Sequence, residues 1–144
     1  MTTPHDLDGA IAALRGAARL DRAAVEGTFG TRLNTKDGNS SFAFYAADAV
    51  PLGAVTVSLD LRVPVPGGGA TAGPLLNLRV VKGCPTRAAV EGRYGPLTPT
   101  GMPRGHSREE LFSFSREEPW GRLSFGFAER APDCLAFVTF AHTR

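Results

Sequence analysis

The chain is short of lysine, cysteine and net charge, and each shortage argues against a class of protein. Its only lysines are Lys36 and Lys82 and its formal net charge is +2, so the sequence does not predict a nucleic-acid-binding protein. Cys84 and Cys134 are the only cysteines and form no CxxC pair, which argues against a structural zinc site. Two thiols fit either a reduced cytosolic protein or one disulfide in an exported protein.

Long apolar runs are also missing. No segment approaches the roughly 20 apolar residues that a membrane-spanning helix needs. The first 20 residues, MTTPHDLDGAIAALRGAARL, carry acids and arginines where a signal peptide has an unbroken apolar stretch. We therefore expect a cytoplasmic protein that does not bind membranes, or a periplasmic one if a signal segment was removed.

A six-residue motif, RAAVEG, occurs twice. It lies in DRAAVEGTFG at 21–30 and in TRAAVEGRYG at 86–95, and the match continues where PLGAVTVSL at 51–59 aligns with PWGRLSFGF at 119–127. Internal similarity of this kind indicates a duplicated structural unit. We expect an N-terminal helix within 1–20, a first repeat over 21–81 and a second repeat over 86–144.

Each repeat is predicted to contain one short helix and three strands. Asp21 and Thr86 are suited to cap the two helices, and glycines follow both. Alternation of apolar residues predicts strands at 41–46, 54–63 and 75–81, and again at 110–115, 122–129 and 135–141, with a long loop at 64–74. The predicted fold class is α+β, with two tandem α-β-β-β repeats forming an antiparallel sheet of about six strands and the helices packed on one face.

The two faces of the predicted sheet differ in composition. The larger apolar side chains of the second repeat are expected under the helices: Phe112, Phe114, Leu123, Phe125, Phe127, Leu135 and Phe137. The other face is expected to be small and polar: Ser113, Ser115, Ser124, Gly126, Ala136 and Val138, with Ala43, Tyr45, Thr56, Ser58, Asp60, Asn77 and Arg79 in the first repeat. It is either a solvated sheet face or a docking surface, and its shortage of Lys and Glu motivates the second interpretation.

Aromatic residues and arginines are the residue types most often found at the centres of protein interfaces. The candidate partner-binding residues are Tyr45, Arg62, Arg79, Arg116, Trp120 and Arg122. Trp120 lies in a predicted turn, where its ring either folds back over the core or is presented to a partner.

No catalytic residue, metal site or cofactor is predicted. His5, His106 and His142 are isolated from one another, and the chain contains no GxSxG motif. The GGG at 67–69 lacks the Lys-Ser/Thr of a phosphate-binding loop. Glu26 and Glu91 recur in the duplicated motif, where helix capping explains them more simply than a paired carboxylate site. We expect that the protein is not an enzyme.

The pattern of a helix carrying Val25, Phe29 and Gly30, followed by meandering strands and repeated at Val90 and 94–95, resembles the small barrel-assembly lipoproteins and the β-lactamase inhibitory proteins. The resemblance implies a joined sheet whose concave face grips a target enzyme. Those inhibitors have a disulfide in each repeat, whereas both cysteines here lie in or beside the second. A Cys84–Cys134 bridge would tie the start of the second helix to the start of the last strand.

These observations predict a protein-binding inhibitor. Its most concrete form is an immunity protein that neutralises a cognate toxin by covering the toxin's active site with the open sheet face. The expected partner is a protein, not a nucleic acid or a membrane, and a Cys84–Cys134 disulfide is expected if the protein is exported. The alternative is a small-ligand or lipid-binding α+β domain, in which the Phe-rich layer opens into a pocket.

Overall fold

A computed structural model of the chain describes residues 4–101 and 111–143 and shows an α+β fold, as predicted. Within these ranges it contains three helices: α1 Leu7–Arg15, α2 Arg22–Phe29 and α3 Arg87–Tyr94. The strands are β1 Asn34–Lys36, β2 Phe42–Leu52, β3 Val55–Pro64, β4 Leu75–Lys82, β5 Thr98–Gly101, β6 Leu111–Glu118, β7 Gly121–Ala128 and β8 Leu135–His142. His106 lies outside the described residues.

All of these strands belong to one antiparallel sheet, in the order β1-β2-β3-β4-β8-β7-β6-β5. The sheet has eight strands, so the prediction of about six was wrong. The two additional strands, β1 and β5, form the edges; they are three and four residues long and mostly exposed. Neither has the apolar alternation that identifies a half-buried strand, which is why the sequence pattern missed them.

The helices begin where side-chain acceptors satisfy free backbone N–H groups. Asp6 Oδ1 accepts from Gly9 N at 2.7 Å in α1. In the two helices that carry RAAVEG, the acceptors are Asp21 Oδ1 and Thr86 Oγ1, each bonded to the N–H three residues later at 2.9 and 3.2 Å. Such caps typically contribute about 1 kcal/mol each.

The core lies between the helices and one face of the sheet. The helices contribute Ile11, Leu14, Val25, Phe29 and Val90, and the strands contribute mainly Val57, Leu59, Leu61, Leu76, Leu78, Leu123, Phe125, Phe127, Val138 and Phe140. Contacts between layers include the Tyr94 ring stacked on Phe125 at 4.9 Å. Each helix is too short to be stable alone, so burial of its apolar side is what stabilises it.

A disulfide between Cys84 and Cys134 joins the segment before α3 to the start of β8. Backbone hydrogen bonds reinforce this junction, from Leu135 N to Pro85 O at 2.8 Å and from Arg87 N to Asp133 O at 2.9 Å. The covalent bond therefore closes a large loop that contains α3, β5, β6 and β7.

Two β-bulges change which residues face the helices. In β8, Leu135 pairs with Phe127 but Phe137 pairs with Gly126, so Ala136 is an extra residue that shifts the alternation by one. As a result Val138 is buried in the core, and Phe137 lies on the opposite face. This reverses the faces expected for Phe137 and Val138.

The second bulge lies in β2 between Ala47 and Val50, where Ala49 adopts a φ of 53°. Tyr45 pairs with Leu61 of the core face, and Ala43 pairs with Val63. Tyr45 and Ala43 therefore face the helices rather than the open side. The phenylalanines that alternate with them, Phe42 and Phe44, take the open side instead.

Candidate partner-binding face

The face of the sheet opposite the helices, called here the open face, is built in rows that cross the strands. The register places one residue from each strand in a continuous central row: Asn34, Ala46, Asp60, Asn77, Thr139, Ser124, Ser115 and Thr98. Seven of these eight residues are polar and all are small or medium in size. The row is therefore a low polar strip across the whole sheet.

Hydrogen bonds connect neighbours within the central row. Thr139 Oγ1 donates to Asn77 Oδ1 at 2.8 Å, and this contact crosses the β4–β8 pairing that joins the two halves of the sheet. The hydroxyls of Ser115 and Ser124 lie 2.7 Å apart, and that of Thr100 lies 2.9 Å from Ser115. The side chains of the strip thus hold each other in place.

A row of mostly larger side chains borders the central row on one side, and a row that mixes large and small residues borders it on the other. The first flanking row is Lys36, Phe44, Arg62, Leu75, Ala141, Arg122 and Glu117. The second flanking row is Ser58, Arg79, Phe137, Gly126, Ser113 and Gly101. Three of the six candidate residues, Arg62, Arg79 and Arg122, are thus brought onto one face.

These arginines differ in whether their guanidinium groups already have a partner within the protein. The Arg122 guanidinium pairs with Glu117 at 3.1 Å, and the Arg62 guanidinium lies 4.5 Å from the centre of the Phe42 ring. Arg79 is exposed and has no hydrogen bond or ion pair within the described residues. Lys36 and Asp60 are likewise exposed and unpaired there, so a partner can reach two cations and a carboxylate.

A concavity of about 460 Å³ lies at the β1–β4 end of the open face. It is lined by Lys36, Asp37, Phe44, Tyr45, Asp60, Leu61, Arg62 and Leu75. Apolar surface from Phe44 and Leu75 therefore lies next to charges of both signs.

The other three candidates lie on the helix side of the sheet. The Arg22 guanidinium lies 4.9 Å from the centre of the Tyr45 ring. Trp120 Nε1 donates to the carbonyl of Arg15 at 3.1 Å, and the indole stacks on His142 at 4.6 Å. Of the two orientations open for Trp120, the structure therefore shows the one folded over the core.

Arg116 is engaged inside the molecule. Its NH1 donates to Tyr94 O at 3.0 Å, and its Nε lies 3.0 Å from Glu118 Oε1, which Arg15 also approaches at 2.9 Å. Neither guanidinium group is oriented to donate a hydrogen bond to Glu118 Oε1. The Glu118 side chain is only 8% exposed, so this cluster connects β6 to α1 and α3 rather than facing a partner.

A second cavity, of about 250 Å³, lies between α1, α3 and the sheet beside the disulfide. Its polar feature is Tyr94, whose hydroxyl donates to Asp8 Oδ1 at 2.5 Å. Burial, and then this bond, raise the pKa of Tyr94 above its ordinary value, so the phenol stays protonated. Such a group is a structural donor rather than a proton acceptor at neutral pH.

Two other titratable groups, Glu26 and His142, have pKa values that contacts within the fold shift. Glu26, on α2, accepts the N–H of Leu33 at 2.8 Å, and this bond lowers the pKa of Glu26 below its ordinary value. Burial lowers the pKa of His142, whose Nε2 has no hydrogen-bond partner among the described residues.

Residues 4–101 and 111–143 contain no cluster of three or more potential metal ligands. None of the helices in these ranges is long and apolar enough to cross a membrane.

Comparisons with protein-family models, with curated proteins and with solved structures find no match to this chain. The argument for function therefore depends on the open face itself. Sequence reasoning missed Lys36, Phe44 and Phe137 as members of that face. Lys36 lies on an edge strand without a pattern, and the faces of the two phenylalanines depend on bulges that the alternation does not reveal.

Proposed function

We propose that the protein is a binding protein that neutralises another protein by covering it with the open face. In its most concrete form it is an immunity protein whose target is a toxin. The observation that carries the proposal is the set of three rows, in which a low polar strip lies beside one row with arginines, a lysine and a phenylalanine and a second row with Arg79 and Phe137 among small residues. Arginine and aromatic side chains around a small-residue floor allow both close approach and strong anchoring.

The internal similarity supports a duplicated origin for this face. The two RAAVEG helices have equivalent caps, the same ion pair between positions i and i+4 (Arg22–Glu26 and Arg87–Glu91), and four strands after them. The strand order is also symmetric about the β4–β8 contact. We propose that two copies of a helix-plus-strands unit were joined edge to edge, which doubled the width of the binding surface.

The disulfide bears on where the protein works. Disulfides persist in oxidising compartments and are rare in the cytosol. The Cys84–Cys134 bridge therefore favours a periplasmic or extracellular site of action over the cytoplasm.

The alternative of a small-ligand or lipid-binding domain has less support. Phe125, Phe127 and Phe140 are fully buried, so the Phe-rich layer is occupied by packing. The cavity that reaches the Phe-rich layer, beside α3, measures about 250 Å³, whereas ligand sites are typically about 300–1,000 Å³; the larger concavity, of about 460 Å³, lies on the open face and not in that layer. These two observations favour a surface for a protein over a pocket for a lipid.

Immunity proteins and their toxins must be made together, so the test is co-expression with each neighbouring gene product. We expect one neighbour to stop growth of a host cell unless this chain is also made, and the two chains to purify as a stable complex. If no neighbouring product is toxic or forms a complex, the proposal is wrong.

The location of the interface can be tested in the same assay. Ser124 is in the middle of the central row, so Ser124→Trp places a large ring on the floor of the open face. We expect this variant to lose protection, whereas Ala23→Trp on the exposed side of α2 retains it. Thermal melts of both variants establish that each is folded.

A further inference from the structure

The cavity between α1, α3 and the sheet, called here the α1–α3 cavity, has a buried apolar base and an exposed rim. The base includes side chains that are at most 2% exposed: Ile11, Leu52, Phe125 and Leu135. The rim includes residues that solvent reaches: Asp6, Ala54, Cys84 and Ala89. A small molecule can therefore enter from solvent and place an apolar portion against the core.

The polar contacts between α1 and α3 converge on one carboxylate. The Tyr94 hydroxyl donates to Asp8 Oδ1 at 2.5 Å, and Arg93 Nε lies 3.5 Å from the same oxygen. The small side chains of Ala54 and Ala89 leave the gap beside these contacts open. The cavity is therefore a space that the packing of the helices on the sheet does not fill.

The charged groups of the cavity are acidic. Among the described residues that line it, the charged side chains are Asp6 and Asp8, and none is basic. Asp6 Oδ1 accepts from Gly9 N, and Asp8 Oδ1 takes the contacts from α3, so neither Oδ2 atom has a hydrogen bond or ion pair within the described residues. The Arg93 side chain is 60% exposed, so its pair with Asp8 is weak.

The rim therefore keeps a negative charge. Counting Asp6 and Asp8 against Arg93, it has two negative charges and one positive. The dipoles of the two helices offset each other here, because α1 begins and α3 ends beside Asp8. A cation at the rim is favoured over an anion.

The volume of the cavity limits the size of a ligand. Apolar cavities of about 150 Å³ hold a molecule of the size of benzene. At about 250 Å³, the α1–α3 cavity has room for a chain of about six carbons with a small head group. A lipid does not fit in this volume.

From this combination we propose that the α1–α3 cavity binds a free primary alkylammonium with an apolar chain of about six carbons. The chain lies against the base, and the ammonium group at the rim donates to the free carboxylate oxygens of Asp6 and Asp8. A second ammonium group at the far end of the chain is excluded, since it would be desolvated against Leu52 and Phe125. The site lies on the helix side of the sheet, so it goes beyond the proposed function and does not depend on it.

The inference is tested by titrating the protein with n-hexylammonium. We expect the amide NMR signals of Ile11, Ala89 and Val90 to shift, and those of Asn77 and Ser124 on the open face to stay unchanged. 1-Hexanol, which has the same chain without the charge, and 1,6-diaminohexane should each bind about tenfold more weakly. Equal binding of n-hexylammonium and 1-hexanol, or shifts confined to the open face, would overturn the inference.

A matched pair of variants tests whether the cavity is the site. Ala89→Leu places a larger side chain at the rim and should weaken binding of n-hexylammonium at least about tenfold. Ala88 is exposed on α3 but does not line the cavity, so Ala88→Leu should change affinity less than about twofold. Leucine is a good helix former, and thermal melts establish that both variants are folded. Equal affinities of the two variants would overturn the inference.

A second pair tests the charge. Asp6→Asn/Asp8→Asn keeps the acceptors for Gly9 N and the Tyr94 hydroxyl, and should weaken n-hexylammonium about tenfold while changing 1-hexanol less than about twofold. Asp37→Asn/Asp48→Asn removes two exposed carboxylates outside the cavity and should leave both affinities unchanged. Equal losses for the ammonium and the alcohol in the first variant would overturn recognition of a cation.

The source of the ammonium group is tested with N-acetyllysine amide, which represents a lysine side chain of a partner protein. We expect it to bind more weakly than n-hexylammonium, because its backbone amides do not fit the apolar cavity. Tighter binding of the lysine derivative would overturn a free small ligand in favour of a partner's lysine.

Discussion

Glu118 Oε1 lies 2.9 Å from a guanidinium nitrogen of Arg15, so a carboxylate of the sheet is paired with the last turn of α1. The same oxygen lies 3.0 Å from Arg116, which in turn reaches Tyr94 O at the end of α3. One buried acid thus links the sheet to two helices.

Glu118→Gln should lower the free energy of unfolding. Removing one partner of a buried ion cluster leaves the other charges uncompensated, and because Arg15 and Arg116 are each about 30% exposed the expected loss is about 1–3 kcal/mol. Urea unfolding measures it. Glu117→Gln is the matched control, since Glu117 is 75% exposed and should cost less than about 0.5 kcal/mol. Equal effects of the two variants would contradict the structural role of Glu118.

Reduction of the Cys84–Cys134 bond should destabilise the fold. The two cysteines are 50 residues apart in sequence, and the bond restricts the unfolded chain by closing that loop. We expect reduction, or the double variant Cys84→Ser/Cys134→Ser, to lower the free energy of unfolding by about 2–4 kcal/mol. Melts with and without reductant measure the effect, which should be absent in the double variant. An unchanged melting temperature on reduction would show that no such bond forms.

Trp120→Phe should affect stability but not partner binding. The substitution keeps an aromatic ring beside Phe140 but removes the N–H that donates to Arg15 O, at an expected cost of about 1 kcal/mol. Since Trp120 lies on the helix side, affinity for the partner should change less than threefold. A large loss of affinity without loss of stability would instead make Trp120 an interface anchor.

His142 should make the fold less stable in mild acid. Burial holds its pKa in the folded state below the ordinary value of about 6.5 that applies when the chain is unfolded. The unfolded chain therefore takes up the proton first, and stability falls as the pH drops through about 6.5 towards the folded-state pKa. Above that range the group has no effect on stability.

The variant His142→Phe should reduce the loss of stability between pH 7.5 and pH 5, measured by urea unfolding at each pH. An unchanged pH dependence in His142→Phe would show that another group is responsible.

Local signals in the sequence predicted much of the fold and less of the composition of the open face. Asp21 and Thr86 identified two helix starts, and alternation identified the six longer strands. The edge strands escaped because Asn34–Lys36 and Thr98–Gly101 are polar and short. Their positions are determined by pairing with β2 and β6, which is a tertiary property.

The composition of the open face was predicted only in part. A bulge inserts an extra residue, so the alternation read before it assigns the residues after it to the wrong face. The extra residue Ala136 places Phe137 beside Arg79, and the bulge after Ala47 leaves Phe44 facing out. The alternation placed Phe137 under the helices and gave Phe44 no place, so both were missed as members of the open face. Arg62, Arg79 and Arg122 were predicted as binding residues from their residue type, and the pairing of β3, β4 and β7 brings them onto one face.

The most direct test of binding through the open face is the affinity of the partner found by co-expression for Arg79→Glu, compared with Arg32→Glu. Both substitutions reverse one exposed arginine, but only Arg79 lies on the open face, beside Ser58. We expect Arg79→Glu to weaken the complex at least about tenfold in calorimetry, with Arg32→Glu within about twofold of the parent chain. Equal affinities for the two variants, with both folded, would contradict binding through the open face.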